Sequence, residues 1–346
     1  MKHVTLAHIA AELGISKYSV SRALSGKPGV SEDTRRKVLS TARALGYDHA
    51  SLAPSLPRIV LLIPHQDLDD MEFWMGVTRG ASMEAEALGY TFVTRPLENP
   101  PSHHPAALDK VGGVIVAGSR ARPALEPYLD ASLPAVLVTY ARPLEPHDAV
   151  HPADWEGGQA VAEHLVQLGH KHLAYVTEAP DKPSFAGRAR GFREAASRFA
   201  DVEARELHID ADEPGVSFER AYRRLASQGQ GPTGILTSTD GIAFAVVWAL
   251  GRMGLDVPRD VSLVGFNDAT ASVRFVPKLT TLRIPTQDLG RSAMRFLHER
   301  IADPGRPPRR LQLAPEFILR DSTGPARAEA VRLERTTAAL LTDRRR

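Results

Sequence analysis

Cysteine is absent from the 346 residues, which excludes disulfides and thiolate metal sites and fits a reducing cytoplasm. Long apolar runs are absent too: no stretch approaches the roughly 18 consecutive apolar residues of a membrane span. The opening Met1-Lys2-His3-Val4-Thr5 has no apolar signal-peptide core. A membrane is therefore not an expected partner, and the cytoplasm is the expected compartment. Catalytic signatures are missing as well, with no Gly-x-x-x-x-Gly-Lys-Ser/Thr loop and no Gly-x-Ser-x-Gly elbow. His164 falls on a helical stretch while His170 and His172 straddle its end and a strand, so they lack the converging spacing of metal ligands. No catalytic residue, metal or cofactor is expected, and the chain does not read as an enzyme.

A large charge excess is also lacking, since the net charge is only +2. Residues 1–50 nevertheless hold eight basic residues against four acidic ones. A local basic surface of this kind suits phosphate binding. Three short helices can be read there. Leu6, Ile9, Ala10 and Leu13 make one apolar stripe behind Thr5, and Gly14 suits a C-cap. Ser16 caps a second helix with Val20, Ala23 and Leu24 inward. Ser31 caps a third, with Glu32 and Asp33 in the first turn and Val38, Ala42 and Leu45 inward. This is a helix-turn-helix arrangement. The outer face of its second helix presents Lys17, Tyr18 and Arg22 to base edges. Thr5, Ser16, Ser19, Ser21 and Ser31 are the candidate phosphate contacts. A helical module with merely solvated polar residues is the alternative.

Residues 4–47, VTLAHIAAELGISKYSVSRALSGKPGVSEDTRRKVLSTARALGY, closely resemble the DNA-binding head of the lac repressor/galactose repressor family. The Val-Thr-Leu opening, the Val-Ser-Arg run of the second helix and the Leu-Gly-Tyr ending carry the match. The resemblance implies that Lys17, Tyr18 and Arg22 read bases. It also implies a hinge over 48–57, in which Ala53 and Leu56 match the family and Leu56 would wedge into the minor groove. The usual proline, asparagine and arginine are missing from this hinge, and Pro54 opposes helix formation. A flexible linker is the other reading.

From Arg58 onward, short aliphatic runs alternate with helical patterns. Candidate strands are Ile59–Ile63, Tyr90–Thr94, Gly113–Ala117, Ala135–Thr139, His172–Thr177, Gly234–Leu236 and Val261–Gly265. Such alternation argues for βαβ units and parallel sheets, and the strands are too many for one compact sheet. The family resemblance continues here in EHLVQLGHKHLAYV, GRARGF, LTTLRIPTQDLGRSAM and ILRDST. It implies a two-lobed, periplasmic-binding-protein-like α/β core over 58–324. One lobe would comprise 58–153 and 285–313, and the other 154–283 and 314–324.

Ligands of open α/β sheets bind outside the carboxyl ends of the strands. The loops expected there carry His65, Phe73, Trp74, Ser119, Arg120, Asp154, Trp155, Arg188, Thr239, Asp240, Asn267 and Asp268. The resemblance implies that Arg188 and the pairs Thr239-Asp240 and Asn267-Asp268 contact an effector. Phe73 or Trp74 could stack on a sugar ring. Core packing is the alternative for the two aromatics, and helix N-capping for Asp240 and Asp268. The tail, 325–346, reads as disordered.

The expectation is a DNA-binding regulator, a repressor in the first instance. It would act as a homodimer on palindromic double-stranded operator DNA, under control of a small-molecule effector, a sugar. A purine or other corepressor is the variant. A sugar-acting enzyme fused to a DNA module is the rival from another class.

Overall fold

A computed structural model describes residues 4–24, 29–45, 57–64, 70–97, 111–117, 129, 133–327 and 331. Its N-terminal head consists of α1 (Leu6–Leu13), α2 (Lys17–Leu24) and α3 (Glu32–Ala44). Ile9, Ala10, Val20, Ala23, Leu24, Val38 and Ala42 form a closed apolar cluster among them. Gly14 ends α1 at φ +62°, the left-handed conformation that its position between two helical patterns demands. Ser16 Oγ accepts from the Ser19 N–H at 3.0 Å, and Ser31 Oγ from the Thr34 N–H at 3.2 Å. Leu45 departs from its expected inward position. It lies just past the end of α3 and is 37% exposed, because the helical period no longer carries it toward the core.

The rest of the described chain builds two sheets. β1 (Arg58–Pro64), β2 (Thr91–Leu97), β3 (Val111–Ala117), β4 (Ala135–Val138) and β5 (Asp148–Pro152) come first. β6 (His172–Thr177), β7 (Glu203–His208), β8 (Gly234–Thr237), β9 (Ser262–Phe266) and β10 (Thr280–Arg283) follow, then β11 (Arg310–Leu313) and β12 (Glu316–Ile318). The first sheet runs β11-β5-β4-β3-β1-β2 and the second β12-β10-β9-β8-β6-β7. The pairings are parallel except for β12, which lies antiparallel to β10. Inner strands such as Ile59–Ile63 are buried along their whole length, as strands covered on both faces must be.

The helices are α4 (Met71–Ala87), α5 (Asp154–Gln167), α6 (Pro183–Ala196), α7 (Pro214–Ala226), α8 (Asp240–Arg252) and α9 (Thr286–Ala302). The chain leaves the first sheet after β5, returns with α9 and β11, and crosses again to β12. α5 and α6 pack backbone to backbone. A β-carbon at Gly158 would stand 2.1 Å from the Arg188 carbonyl oxygen, and one at Gly191 would stand 2.0 Å from that of Trp155. These two glycines let α6 settle deeply enough to bring Arg188 beside Asp154.

The start of the tail is not disordered, which corrects the expectation. The Ala326 N–H donates to the Leu168 carbonyl at 2.8 Å, and Arg327 pairs with Asp260 at 2.6 Å. Val331 is 3% exposed and bridges to Gly231. Val331 completes the apolar cluster beneath α7 and α8. Within the hinge only Pro57 is described, so Ala53 and Leu56 lie outside the described residues, as do His65, Ser119 and Arg120.

Candidate functional site

In the head, helical spacing sorts α2 into two faces. Val20, Ala23 and Leu24 are buried, while Lys17, Tyr18 and Ser21 are exposed on the opposite side and Arg22 is half-covered beside them. Tyr18 is 67% exposed, a large aromatic held in solvent. The Arg22 guanidinium lies over the Tyr18 ring, 5.3 Å from its centroid, and Nη1 donates to Tyr18 Oη at 2.5 Å. Three of the candidate phosphate contacts have a local task as well. Thr5 donates its N–H to His8 Nδ1 at 3.1 Å, while Ser16 and Ser31 cap α2 and α3. The Ser19 hydroxyl lies 2.9 Å from that of Ser16.

Between the sheets lies a cavity of about 1210 Å³, bounded by the start of α4, the ends of β6, β8 and β9, and the crossover before α9. A smaller pocket of about 40 Å³ continues inward to Phe73, Trp74, Tyr140, Phe185, Arg188 and Asn267. That is room for a water or two, well short of the ~300 Å³ or more of an occupied ligand site. Two contacts tie the sheets together across this region. Asn267 Nδ2 donates to Asp70 Oδ2 at 2.7 Å, and Glu72 accepts from the Thr270 N–H at 2.9 Å and from its hydroxyl. Asn267 Oδ1 is buried with no hydrogen-bond partner among the described residues. Burial raises the Asp70 carboxyl above the usual carboxylate range, opposed mainly by its bond from the Phe73 N–H.

Arg188 is 3% exposed and closely held. Its Nε donates to Asp154 Oδ1 at 2.8 Å, its Nη1 donates to the Ser238 carbonyl, and its Cζ lies 3.7 Å from the centroid of the Phe266 ring. Burial pushes the Asp154 carboxyl up and the adjacent guanidinium opposes it.

Residues 5–49 match the family described as bacterial regulatory proteins, lacI family, and residues 162–323 match the periplasmic binding protein-like domain. The HTH-type transcriptional repressor PurR of Aliivibrio fischeri (strain MJ11) is 27% identical over 331 residues, covering 92% of this chain and 98% of that protein. The chain belongs to the lacI family. Among solved structures, the complex of the transcriptional regulator CelR with cellobiose is 25% identical, with a TM-score of 0.68 over 92% of this chain and all of that one. The lac repressor dimer bound to operator and the anti-inducer ONPF shares the fold at 22% identity, with a TM-score of 0.75 over 93% of this chain and all of the other. The relatives are regulators of transcription, and so is this lacI-family chain; it is not an enzyme.

Several residues expected in the effector cleft of this lacI-family chain have other tasks. Trp155 lines neither cavity: it sits in the first turn of α5 and donates its Nε1 to Glu194 at 2.7 Å, because α5 packs on α6 with that face outward. Asp240 borders the larger cavity, yet its carboxylate is taken by the Ala269 N–H, the Ser272 hydroxyl and the Thr281 hydroxyl at 2.6–2.7 Å. Burial raises its pKa against those three bonds. Asp268 pairs with Arg283 at 2.8 Å and Arg320 at 2.6 Å. Neither aspartate caps a helix with its side chain; Thr239 caps α8, accepting from the Ile242 N–H. Phe73, Trp74, Arg188 and Asn267 do meet at the inner pocket.

Sequence reasoning missed Asp70, Glu72, Lys182 and Phe185, all of which border the larger cavity. Two signals pointed to them. Asp70 stands three residues before Phe73 as an N-cap, and Pro183 fits only the first turn of a helix.

Proposed function

We propose that the chain is a homodimeric repressor that reads a near-palindromic operator through the outer face of α2. Its affinity would be set by a hydroxyl-rich effector, a sugar, bound between the two lobes in the cytoplasm. The observation that carries this reading is the inner pocket, where a guanidinium, an amide and a carboxylate converge among aromatic rings. Such a set offers both donors and acceptors to hydroxyls and flat faces to a sugar ring. The cellobiose bound by the 25% identical CelR supports the same ligand class.

In the present conformation Asp70 and Asn267 are bonded to each other and the inner pocket is too small for a ring. A bound sugar would therefore exchange the Asp70–Asn267 bond for bonds to its own hydroxyls. The lobe arrangement that it favours then differs from the one described, and this difference supplies the coupling to DNA. Couplings of this kind run to about 1–3 kcal/mol, or roughly 5–150-fold in affinity.

A second copy has a suitable face to meet. Phe244 and Phe275 stack with centroids 4.6 Å apart, and beside them Trp248 is 71%, Val276 86% and Val273 47% exposed. Covering such a patch is a common reason for association. Sedimentation of the chain at micromolar concentration should return twice the monomer mass, and a monomer would remove the dimer.

The deciding experiment is a thermal-shift screen of mono- and disaccharides and purines. It is followed by titration of each hit against protein bound to a duplex selected from a randomised pool. A sugar hit that shifts DNA affinity in the parent chain and not in Arg188→Ala is the expected result. A purine hit, or an unchanged response in Arg188→Ala, overturns the assignment.

A further inference from the structure

Beyond the end of α2, the described chain resumes at Gly29, whose φ is +103°. The three described heavy atoms nearest the space above its α-carbon all belong to Arg22. A β-carbon built there would stand 3.2 Å from Nη2, 3.3 Å from Nε and 3.4 Å from Cζ of Arg22. On its other side the same guanidinium lies over the Tyr18 ring and donates to Tyr18 Oη. Arg22 is thus held between a ring on its own helix and a bare stretch of backbone before α3. The last turn of α2 positions neither partner by itself: Tyr18 comes from one helical turn earlier and Gly29 from the following connection.

We propose that Gly29 and Tyr18 are positioning residues for base reading by Arg22, and that the missing side chain at position 29 sets which base pair Arg22 can reach. This rests on the reading of α2 as the recognition helix. A bidentate contact to a base requires the guanidinium plane at a fixed distance and tilt. A free arginine loses considerable rotamer freedom in adopting that geometry, whereas one already clamped loses little. A β-carbon at position 29 meets the guanidinium edge at less than ordinary contact distance, so Arg22 must give by a few tenths of an ångström and change its tilt against the Tyr18 ring. The contact to phosphates made by other residues of the head has no such dependence.

The test uses the full-length chain and a duplex selected from a randomised pool with the parent protein. Base preference at each position and non-specific binding at low salt are measured for Arg22→Ala, Gly29→Ala, Tyr18→Phe and the Arg22→Ala/Gly29→Ala double variant. Arg22→Ala is expected to relax preference at one base pair in each half-site, with a loss of roughly tenfold or more. Gly29→Ala and Tyr18→Phe should relax the same base pair by a smaller factor, and Gly29→Ala should leave non-specific binding unchanged. In the Arg22→Ala background, Gly29→Ala should change base preference no further; the strain of an alanine at φ +103° is common to both backgrounds and is read separately from their thermal midpoints.

If Gly29→Ala lowers affinity equally in both backgrounds, or lowers non-specific binding as well, it acts through the fold of the head and the positioning role is refuted. If Arg22→Ala relaxes a base pair and neither Gly29→Ala nor Tyr18→Phe does, the role is also refuted. If Arg22→Ala relaxes no position at all, the recognition-helix reading fails first.

Discussion

The outer face of α2 and the floor of the interlobe cleft both hold arginine, aromatic and small polar side chains, but hold them differently. On α2 the aromatic ring stands in solvent, and the polar contacts seen among the described residues are to near neighbours on the same short module. In the cleft, Arg188, Asp240 and Asp268 are fastened to groups 15 to 52 residues away in the chain. A polar residue at a helix surface is thus available to a partner by default. One at the end of a buried strand is available only for whatever its internal partners leave over. On the proposed function, the cleft would recognise a ligand with the few groups that remain, while Arg188, Asp240 and Asp268 hold the loops in shape.

The largest effect that would break this contrast is expected at Asp240. Asp240→Ala leaves the Ala269 N–H and two hydroxyls without their acceptor in a site that is 1% exposed. Unmet buried groups cost ~1–3 kcal/mol each, so urea unfolding should show a loss of about 3–5 kcal/mol. A variant as stable as the parent but blind to effector would return Asp240 to the ligand.

A smaller effect is expected at the tail, which binds the second lobe through Val331, Arg327 and Ala326. Ending the chain after Gly324 should lower stability by about 2 kcal/mol, the value of one buried valine with its neighbours. DNA affinity at saturating stability should be untouched; a shortened chain that melts with the parent would make the tail a passive strand of surface.

The smallest effect is a pH slope. His170 is buried, with Nδ1 3.0 Å from the Thr233 hydroxyl and Nε2 3.2 Å from the Gly324 carbonyl. Burial lowers its pKa below the ordinary histidine value, against the bond to Gly324, which raises it. The folded state therefore favours the neutral ring. That contribution is intact above about pH 6.5 and is lost as pH falls through the depressed folded value. The thermal midpoint should drop between neutral and mildly acidic pH, and His170→Asn should flatten the drop. An unchanged slope would move the acid sensitivity elsewhere, the nearest candidate being the half-buried His164.

The inner strands β1, β3, β4, β6, β8 and β9 and the three head helices were legible because their patterns are local, whereas inner β10, Thr-Thr-Leu-Arg, lacks a continuous apolar run. β7, β11 and β12 escaped notice because they are edge strands, and Glu-Ala-Arg-Glu-Leu-His or Arg-Leu-Gln-Leu carries the charge that half-solvated edges carry. β5 was hidden differently. It opens on Asp148, which is fully buried and neutralised by Arg300 and Arg309, more than 150 residues downstream. Sequence spacing contains no sign of such a partner. The same limit explains the cleft: Arg188 and Asn267 stood where strand ends converge, whereas the engagement of Asp240 and Asp268 depended on loops that only the folded chain brings alongside. Trp155 stands off both cavities because the glycines of α5 and α6 set how far the two helices approach, and hence which way the indole faces.

The 40 Å³ of the inner pocket also has a bearing on time. On the proposed function, a ligand using this space meets Phe73, Trp74 and Phe185 around it and the Asn267–Asp70 bond beside them, so its entry would require the lobes to part. The observed binding rate should then rise with ligand concentration only to a plateau, set by that opening and shared by every ligand the pocket accepts.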